Sequence, residues 1–285
     1  KQLLYLTATS RKLDDPISVI IVSESSSGKS YLIETVEKLM PPEDVISATS
    51  LSDQALNYIA KDGLKHKFLT LGEAIHSESV EHQIREMLSS KKLSRLVTVK
   101  DERSGEMLTK LMTVDATVAT AMSTTGNGVN PENASRCFLV NVDESEDQTK
   151  KIHDHQRKEY GFYSIKEDKE RVDKIIKKHH CAQRLLKERV IVNPYADKLK
   201  FPSKLMRTRR DHKRFLLLLL VICFLRQYQK EEKKIIENGK EIEFIECDEE
   251  DYRIGYTILV NKILNSTFGE ISVSDVEFYE EIRNI

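Results

Sequence analysis

The sequence predicts an α/β fold: a five-stranded parallel sheet with crossover helices, a β-hairpin inserted before the fourth strand, and a helical second unit. Three observations predict it. Short apolar runs alternate with amphipathic segments through the first half, which is the pattern of parallel strands joined by helices. A serine-rich loop ending in Gly28-Lys29-Ser30 falls between an apolar run and a helical one. From Glu144 onward the composition turns to helix formers. The expected division is an α/β core over residues 1–145 and a helical unit over 146–285.

The elements follow in order. Ile17–Val22 is an unbroken apolar run of buried-strand type. Lys29–Met40 places Leu32, Ile33, Val36, Leu39 and Met40 on one helical face, and Pro41-Pro42 stops it. Val45–Ala48 and Lys67–Leu71 are the next strands. Between them Ser52 can cap a helix over Asp53–Lys61, closed by Gly63. Glu78–Leu88 is a helix. Leu96–Lys100, the turn-rich Asp101–Gly105 and Glu106–Val114 make the hairpin. Thr117–Met122 and Phe138–Val142 complete the sheet. Helices are expected over Ser164–Arg189, Arg210–Glu231 and Asp248–Asn265, with a small charged hairpin around Asn238-Gly239. The Leu216–Leu220 stripe is expected in the core or at a subunit contact.

The bulk properties narrow the function classes. The chain has 285 residues, 39% hydrophobic and 32% charged, with a net charge of −1. That suits a soluble globular protein and excludes a uniformly basic nucleic-acid binder, so any such contact must be a local patch. Four dispersed cysteines without a C-x-x-C pair argue against a disulfide framework or a zinc site and for a reducing compartment, the cytoplasm. His179-His180-Cys181 are adjacent rather than spaced as ligands. The longest apolar run, Phe215–Leu225, falls short of the roughly 20 residues a bilayer requires, so no membrane partner is expected. No leader is recognisable, and a start at Lys1 rather than Met is expected of a piece of a longer protein.

Ser23-Glu-Ser25-Ser26-Ser27-Gly28-Lys29-Ser30 has the spacing of a P-loop, with Ser23 at the position usually held by Gly. Such a loop cradles phosphate oxygens with backbone N–H groups at a helix N-terminus. Lys29 then reaches the β and γ phosphates and the Ser30 hydroxyl ligates Mg²⁺, with ATP the expected nucleotide. Ser at position 23 serves if that residue does not need a positive φ. Phe68-Leu-Thr-Leu-Gly72-Glu73 supplies the acidic strand end, with Glu73 placed to orient or deprotonate water. Gly72 stands where an Asp that helps hold Mg²⁺ is usual. The bland alternatives are a serine-rich turn and a surface carboxylate.

Asn133-Ala-Ser135-Arg136-Cys-Phe138 resembles the Ser-Arg-Phe-Asp segment of MCM-type helicases of the AAA+ superfamily. Arg207-Thr-Arg209-Arg210-Asp-His-Lys-Arg214 looks like their sensor-2 helix. The resemblance covers most of residues 1–265. It extends to the helicase part of primase–helicase proteins of bacterial mobile elements and phages, which often carry a primase module elsewhere on the chain. It implies a P-loop AAA+ core followed by a helical lid domain. It also implies a ring-forming homo-oligomer, hexameric, acting on single-stranded or forked DNA. Arg136 takes the arginine-finger role in the neighbour's site, Arg210 (or Arg209) contacts nucleotide from the lid, and Thr124 is the sensor-1 residue. The inserted hairpin takes the place of the DNA-gripping hairpin, with Lys92, Lys100 and Arg103 as phosphate contacts. A structural reading of Arg136 pairs it with Asp143 or Glu144. Two rivals are a non-hydrolysing or slowly hydrolysing ATP-binding switch or scaffold, and a small-molecule kinase.

Overall fold

The computed structural model describes residues 1–24, 27–72, 77–100, 106–125, 130–161, 169–199, 208–237 and 239–260. Helix α1 (Gln2–Ser10) precedes strand β1 (Ser18–Val22), then α2 (Lys29–Glu37), β2 (Val45–Ala48), β3 (Lys67–Leu71) and α3 (Glu78–Ser90). The hairpin β4 (Lys92–Lys100) and β5 (Met107–Asp115) leads to β6 (Val118–Thr124), the short α4 (Pro131–Ala134) and β7 (Phe138–Asn141). Helices α5 (Glu146–Glu159) and α6 (Lys169–Leu185) follow. The chain continues through β8 (Val190–Val192), α7 (Thr208–Leu225), β9 (Lys233–Glu237), β10 (Lys240–Glu246) and α8 (Glu249–Val260).

Five strands form one sheet in the order β2-β3-β6-β1-β7, all parallel. Its central strands read as continuous apolar runs because both faces are covered: all seven residues of β6 and four of the five in β1 are buried. One face packs Ile20, Leu69 and Leu71 against Val80, Ile84 and Met87 of α3. The other packs Val19, Ile21 and Phe68 against α1, α2 and the C-terminal helices.

Leu218, Val221 and Ile222 of α7 and Ile258 of α8 share that second cluster with Leu3, Leu6 and Ala8 of α1. The leucine stripe is therefore core, continuous with the sheet's own packing. The region after residue 145 is also not purely helical, since β8, β10 and β9 form a three-stranded sheet. Helix α6 reaches back to the first half: His180 Nε2 lies 3.0 Å from the Lys38 carbonyl oxygen, and Arg184 pairs with Glu43 at 2.7 Å.

Arg11 sits at this junction with no exposed side-chain surface. Its guanidinium pairs with Asp44 at 2.7 Å and donates to the Ala8 carbonyl and to Gln183 Oε1 at 2.9 and 2.8 Å. Removing one partner of a buried pair costs far more than a surface bridge is worth. Arg11→Ala is expected to lower the free energy of unfolding by about 3 kcal/mol in urea titrations.

A second charged knot ties α7 to α8. Arg226 lies 2.5 Å from Asp251 and 2.9 Å from Asp248, and Lys230 lies 2.5 and 2.6 Å from the same two carboxylates. Burial alone would raise the Asp248 carboxyl, but hydrogen bonds from Lys230 and Arg226 outweigh it and hold the group below its ordinary value. A depressed folded value means the stabilisation is fully present above the unfolded pKa of about 3.9 and is lost as pH falls through the folded one. Lys230→Met should therefore narrow the stability difference between pH 7 and pH 3 in urea melts. The Cys223 and Cys247 thiols and Asp251 also come within 4.8 Å of one another. Asp251 already holds two cations there, Arg226 and Lys230, so its carboxylate is engaged in the knot between α7 and α8.

The expected helix over Asp53–Lys61 is only a 3₁₀ turn at Ala55–Tyr58. Tertiary contacts override the local preference: Arg95 of the hairpin stacks 4.3 Å from the Tyr58 ring, and Gln83 of α3 donates to the Asp53 carbonyl at 2.6 Å.

Candidate functional site

β1 runs through the core and ends at Val22, which delivers Ser23 to the carboxyl edge of the sheet. The Ser23 N–H donates to the Thr124 carbonyl at 3.3 Å, so the loop starts as an extension of the β1–β6 pairing. Positive φ among non-glycine residues occurs at His66 and Lys91 within the described chain, and not at Ser23. A serine is therefore compatible with this position. Gly28 has φ +90°, where a side chain is strained, and it caps α2. Among the described residues, nothing lies within 4 Å of where its Cβ would stand, and a helix N-terminus of this kind can take an anion. Lys29 Nζ donates to the Ser23 and Glu24 carbonyls at 2.7 and 2.5 Å. Ser30 is exposed on the first turn. Ser25 and Ser26 lie outside the described residues.

The strand order sets what stands beside this loop. β6 lies between β1 and β3, so its polar end reaches both the P-loop and the end of β3. Val22 pairs with Thr124 and Ile21 with Ser123. The Ser123 hydroxyl donates to the Gly72 carbonyl, and the Thr124 hydroxyl donates to the Thr125 carbonyl at 3.2 Å. The strand expected over Thr117–Met122 thus runs two residues further, with Ser123 and Thr124 as its last residues. Glu73 lies outside the described residues, one position beyond Gly72. A Cβ on Gly72 would stand 3.3 Å from the Thr49 backbone, so the edge of β2 crowds any larger residue there.

Arg136 is set by the turn before β7. Asn130 caps α4 through a bond from the Glu132 N–H at 2.9 Å, and Pro131 starts the helix. Buried Asn133 holds Glu81 of α3 at 2.6 Å. Cys137 and Phe138 then turn into the core, and burial pushes the Cys137 thiol up to about 12. Arg136 donates to the Ser89 hydroxyl and the Glu132 carbonyl, both at 2.6 Å. The structural pairing with Asp143 or Glu144 does not form. Asp143 accepts from the Ser145 N–H, and Glu144 accepts from the Glu24 N–H of the P-loop at 3.0 Å.

Arg210, at the start of α7, bonds to the Ser135 hydroxyl beside Arg136. Because β7 and β1 are parallel and Phe138 pairs with Val19, this pair of arginines lies at the amino edge of the sheet. The P-loop lies at the carboxyl edge, about five residues away, or roughly 16 Å at ~3.3 Å per residue. Arg210 thus stands with Arg136 rather than at its own chain's P-loop. Both line a cavity of ≈ 370 Å³ with Asp15, Lys91, Lys213 and Arg214. Asp15 takes Lys213 at 2.5 Å and Lys91 at 3.1 Å, and Asp211 takes Arg214. Among the described residues, no carboxylate forms an ion pair with Arg136 or Arg210. Burial first and the neighbouring Arg210 charge second lower the Arg136 pKa, with the nearby Glu132 and Glu86 carboxylates offsetting them only in part. Of this cluster, the sequence signalled the basic run before Arg214 but not Asp15.

Lys92 and Lys100 are exposed at the root and the outer end of β4, with Lys92 opposite Asp115 and Lys100 opposite Met107. Arg103 lies outside the described residues. Among the described residues the hairpin strands pair with each other alone, and they carry exposed Leu96, Met107 and Leu111 on one face. Among the described residues, no helix is long and apolar enough to cross a membrane.

No curated protein matches the chain. The family model described as the MTBMA_p00010 P-loop domain matches residues 1–189, from α1 through α6, which includes the loop at Ser23–Ser30, the hairpin and Arg136. With that match over well more than half its length and the loop geometry above, the chain belongs to the MTBMA_p00010 P-loop domain family and is a nucleotide-binding P-loop protein.

Proposed function

We propose that the chain is an ATP-driven motor of the AAA+ type that assembles as a ring, hexameric by resemblance, and acts on DNA as the helicase of a mobile element's replication module. The observation that carries this reading is the placement of Arg136 and Arg210 together on an open cavity at the sheet edge opposite the P-loop, hydrogen-bonded to neutral oxygens among the described residues. Two guanidiniums so placed suit an anion delivered by another molecule, and a neighbouring subunit's triphosphate fits that need.

The residues present fit a triphosphate and fit Mg²⁺ less fully. The α2 N-terminus and Gly28 hold phosphate oxygens, and Lys29 turns from the Ser23 and Glu24 carbonyls to the β and γ oxygens. Ser30 offers one hydroxyl to the metal. Bound MgATP supplies the phosphoanhydride and the charge neutralisation. Glu73 orients water, Thr124 faces the γ position, and Arg136 and Arg210 bring positive charge from the adjacent subunit. The β4–β5 hairpin, with Lys92, Lys100 and Arg103, contacts DNA phosphates in a sequence-neutral, salt-sensitive way. Size-exclusion chromatography with and without ATP, paired with turnover assays with and without single-stranded DNA, tests the reading. Nucleotide-dependent assembly and DNA-stimulated turnover are expected.

Gly72 favours a second reading. The carboxylate usual for holding Mg²⁺ is replaced there by glycine, and a Cβ at that position would stand 3.3 Å from the Thr49 backbone. A slowly hydrolysing switch or scaffold would bind ATP and assemble but show no stimulated turnover.

A further inference from the structure

The end of α3 joins two parts that the proposed function uses separately. Arg136 Nε donates to the Ser89 hydroxyl at 2.6 Å, one turn before the hairpin begins at Lys92. Lys91 between them has φ +56°, an uncommon conformation for a non-glycine residue. It is pinned from three sides. Its ammonium reaches the Leu88 carbonyl at 3.0 Å and Asp15 at 3.1 Å, and its own carbonyl accepts from the Ala116 N–H at 2.9 Å. Asp15 also holds Lys213 of α7 at 2.5 Å. The hairpin enters the core only at its root, through Leu93 and Val114, with Arg95 stacked on Tyr58 just beyond. Further out, Leu96 and Leu111 are exposed. A two-stranded ribbon held at one end can reorient as a lever about that end.

We propose that Ser89 is the positioning residue through which Arg136 sets the β4–β5 hairpin, with Lys91 as its pivot. The inference rests on Arg136 engaging the neighbour's phosphate. While that phosphate is absent, the Arg136–Ser89 bond ties the last turn of α3 to the arginine cluster. When Arg136 turns to a phosphate oxygen, the Ser89 hydroxyl loses this donor and the tie between α3 and the arginine cluster is released, while Met87 and Leu88 keep α3 in the core. The hairpin root then reorients about Lys91, which Asp15 keeps fixed against α7. Occupancy of one subunit's P-loop is thereby reported to the DNA-facing hairpin of the next.

Amide hydrogen exchange of residues 92–100 and 107–115 tests this on the full chain, with MgATP and without. In the unmodified protein, nucleotide should change hairpin exchange by about three- to tenfold, the worth of one hydrogen bond. Ser89 is exposed, so Ser89→Ala should keep the fold, with an unfolding equilibrium constant within about twofold of the unmodified protein's. The hairpin response should disappear in Ser89→Ala and return in Ser89→Thr. A response that survives Ser89→Ala overturns the proposal. So does an unmodified hairpin that ignores nucleotide while β1 and α2 become protected. Arg136→Ala separates the two levels: lost turnover with nucleotide binding retained supports the between-subunit site irrespective of the hairpin result, and retained turnover, or binding lost with it, removes the premise for both.

Discussion

Replacing Lys29 by alanine is expected to weaken triphosphate binding about 100-fold and to remove turnover while leaving the fold intact. The ammonium sits at the mouth of the P-loop, where it can follow the β and γ phosphates. Among the described residues it bonds two carbonyl oxygens, those of Ser23 and Glu24. Each charge-assisted hydrogen bond to phosphate is worth about 1.5–3 kcal/mol, and one or two of them amount to roughly two orders of magnitude in affinity. The fold should tolerate the change because Lys29 is half-buried and Ile33 and Val36, not Lys29, anchor α2 in the core. Titration with a fluorescent nucleotide, alongside thermal melts, checks both parts. Unchanged affinity would mean that the loop does not hold phosphate through this side chain.

Arg136→Ala is expected to lower turnover about 1000-fold, the range for loss of an arginine finger, while nucleotide affinity changes little. Arg136 lies a full strand length from its own P-loop, so it does not contribute to binding there. Its charge matters only when a second subunit brings a phosphate to the amino edge of the sheet. Arg210→Ala, which removes the second guanidinium of the same cavity, should produce a smaller loss of the same kind. Steady-state turnover compared with equilibrium binding separates the two effects. A variant that loses binding and turnover together would place Arg136 in its own chain's site.

The parts of this arrangement that were legible in the sequence are those with local signals. β2 and β3 are short apolar runs flanked by turn residues, and both form over the expected residues, Val45–Ala48 and Lys67–Leu71. The P-loop is contiguous, and its strand and helix flank it as expected. Helix α1 was not legible, because seven of its nine residues are buried and it has little amphipathic pattern to detect. β8 is three residues long and exists by pairing with β10, more than fifty positions away. The same limit hid the arginine cluster. Arg136 and Arg210 were each readable from their own segments, but their approach depends on α7 packing against α1 and the sheet. Asp15 and Ser89 gave no local signal at all, since their roles consist of partners distant in the chain.

The most direct test of a between-subunit ATP site is to mix two inactive variants, Lys29→Ala and Arg136→Ala, and measure turnover of the mixture. In a randomly mixed ring, an intact site forms where the P-loop of an Arg136→Ala subunit meets the arginine of a Lys29→Ala subunit. At equal amounts that is about a quarter of the interfaces in a cyclic assembly. Turnover should recover to about that fraction of the unmodified rate, since each intact interface regains the finger. A mixture as inactive as its two components, with assembly verified by sizing, would contradict a composite site and place all the catalytic residues within one chain.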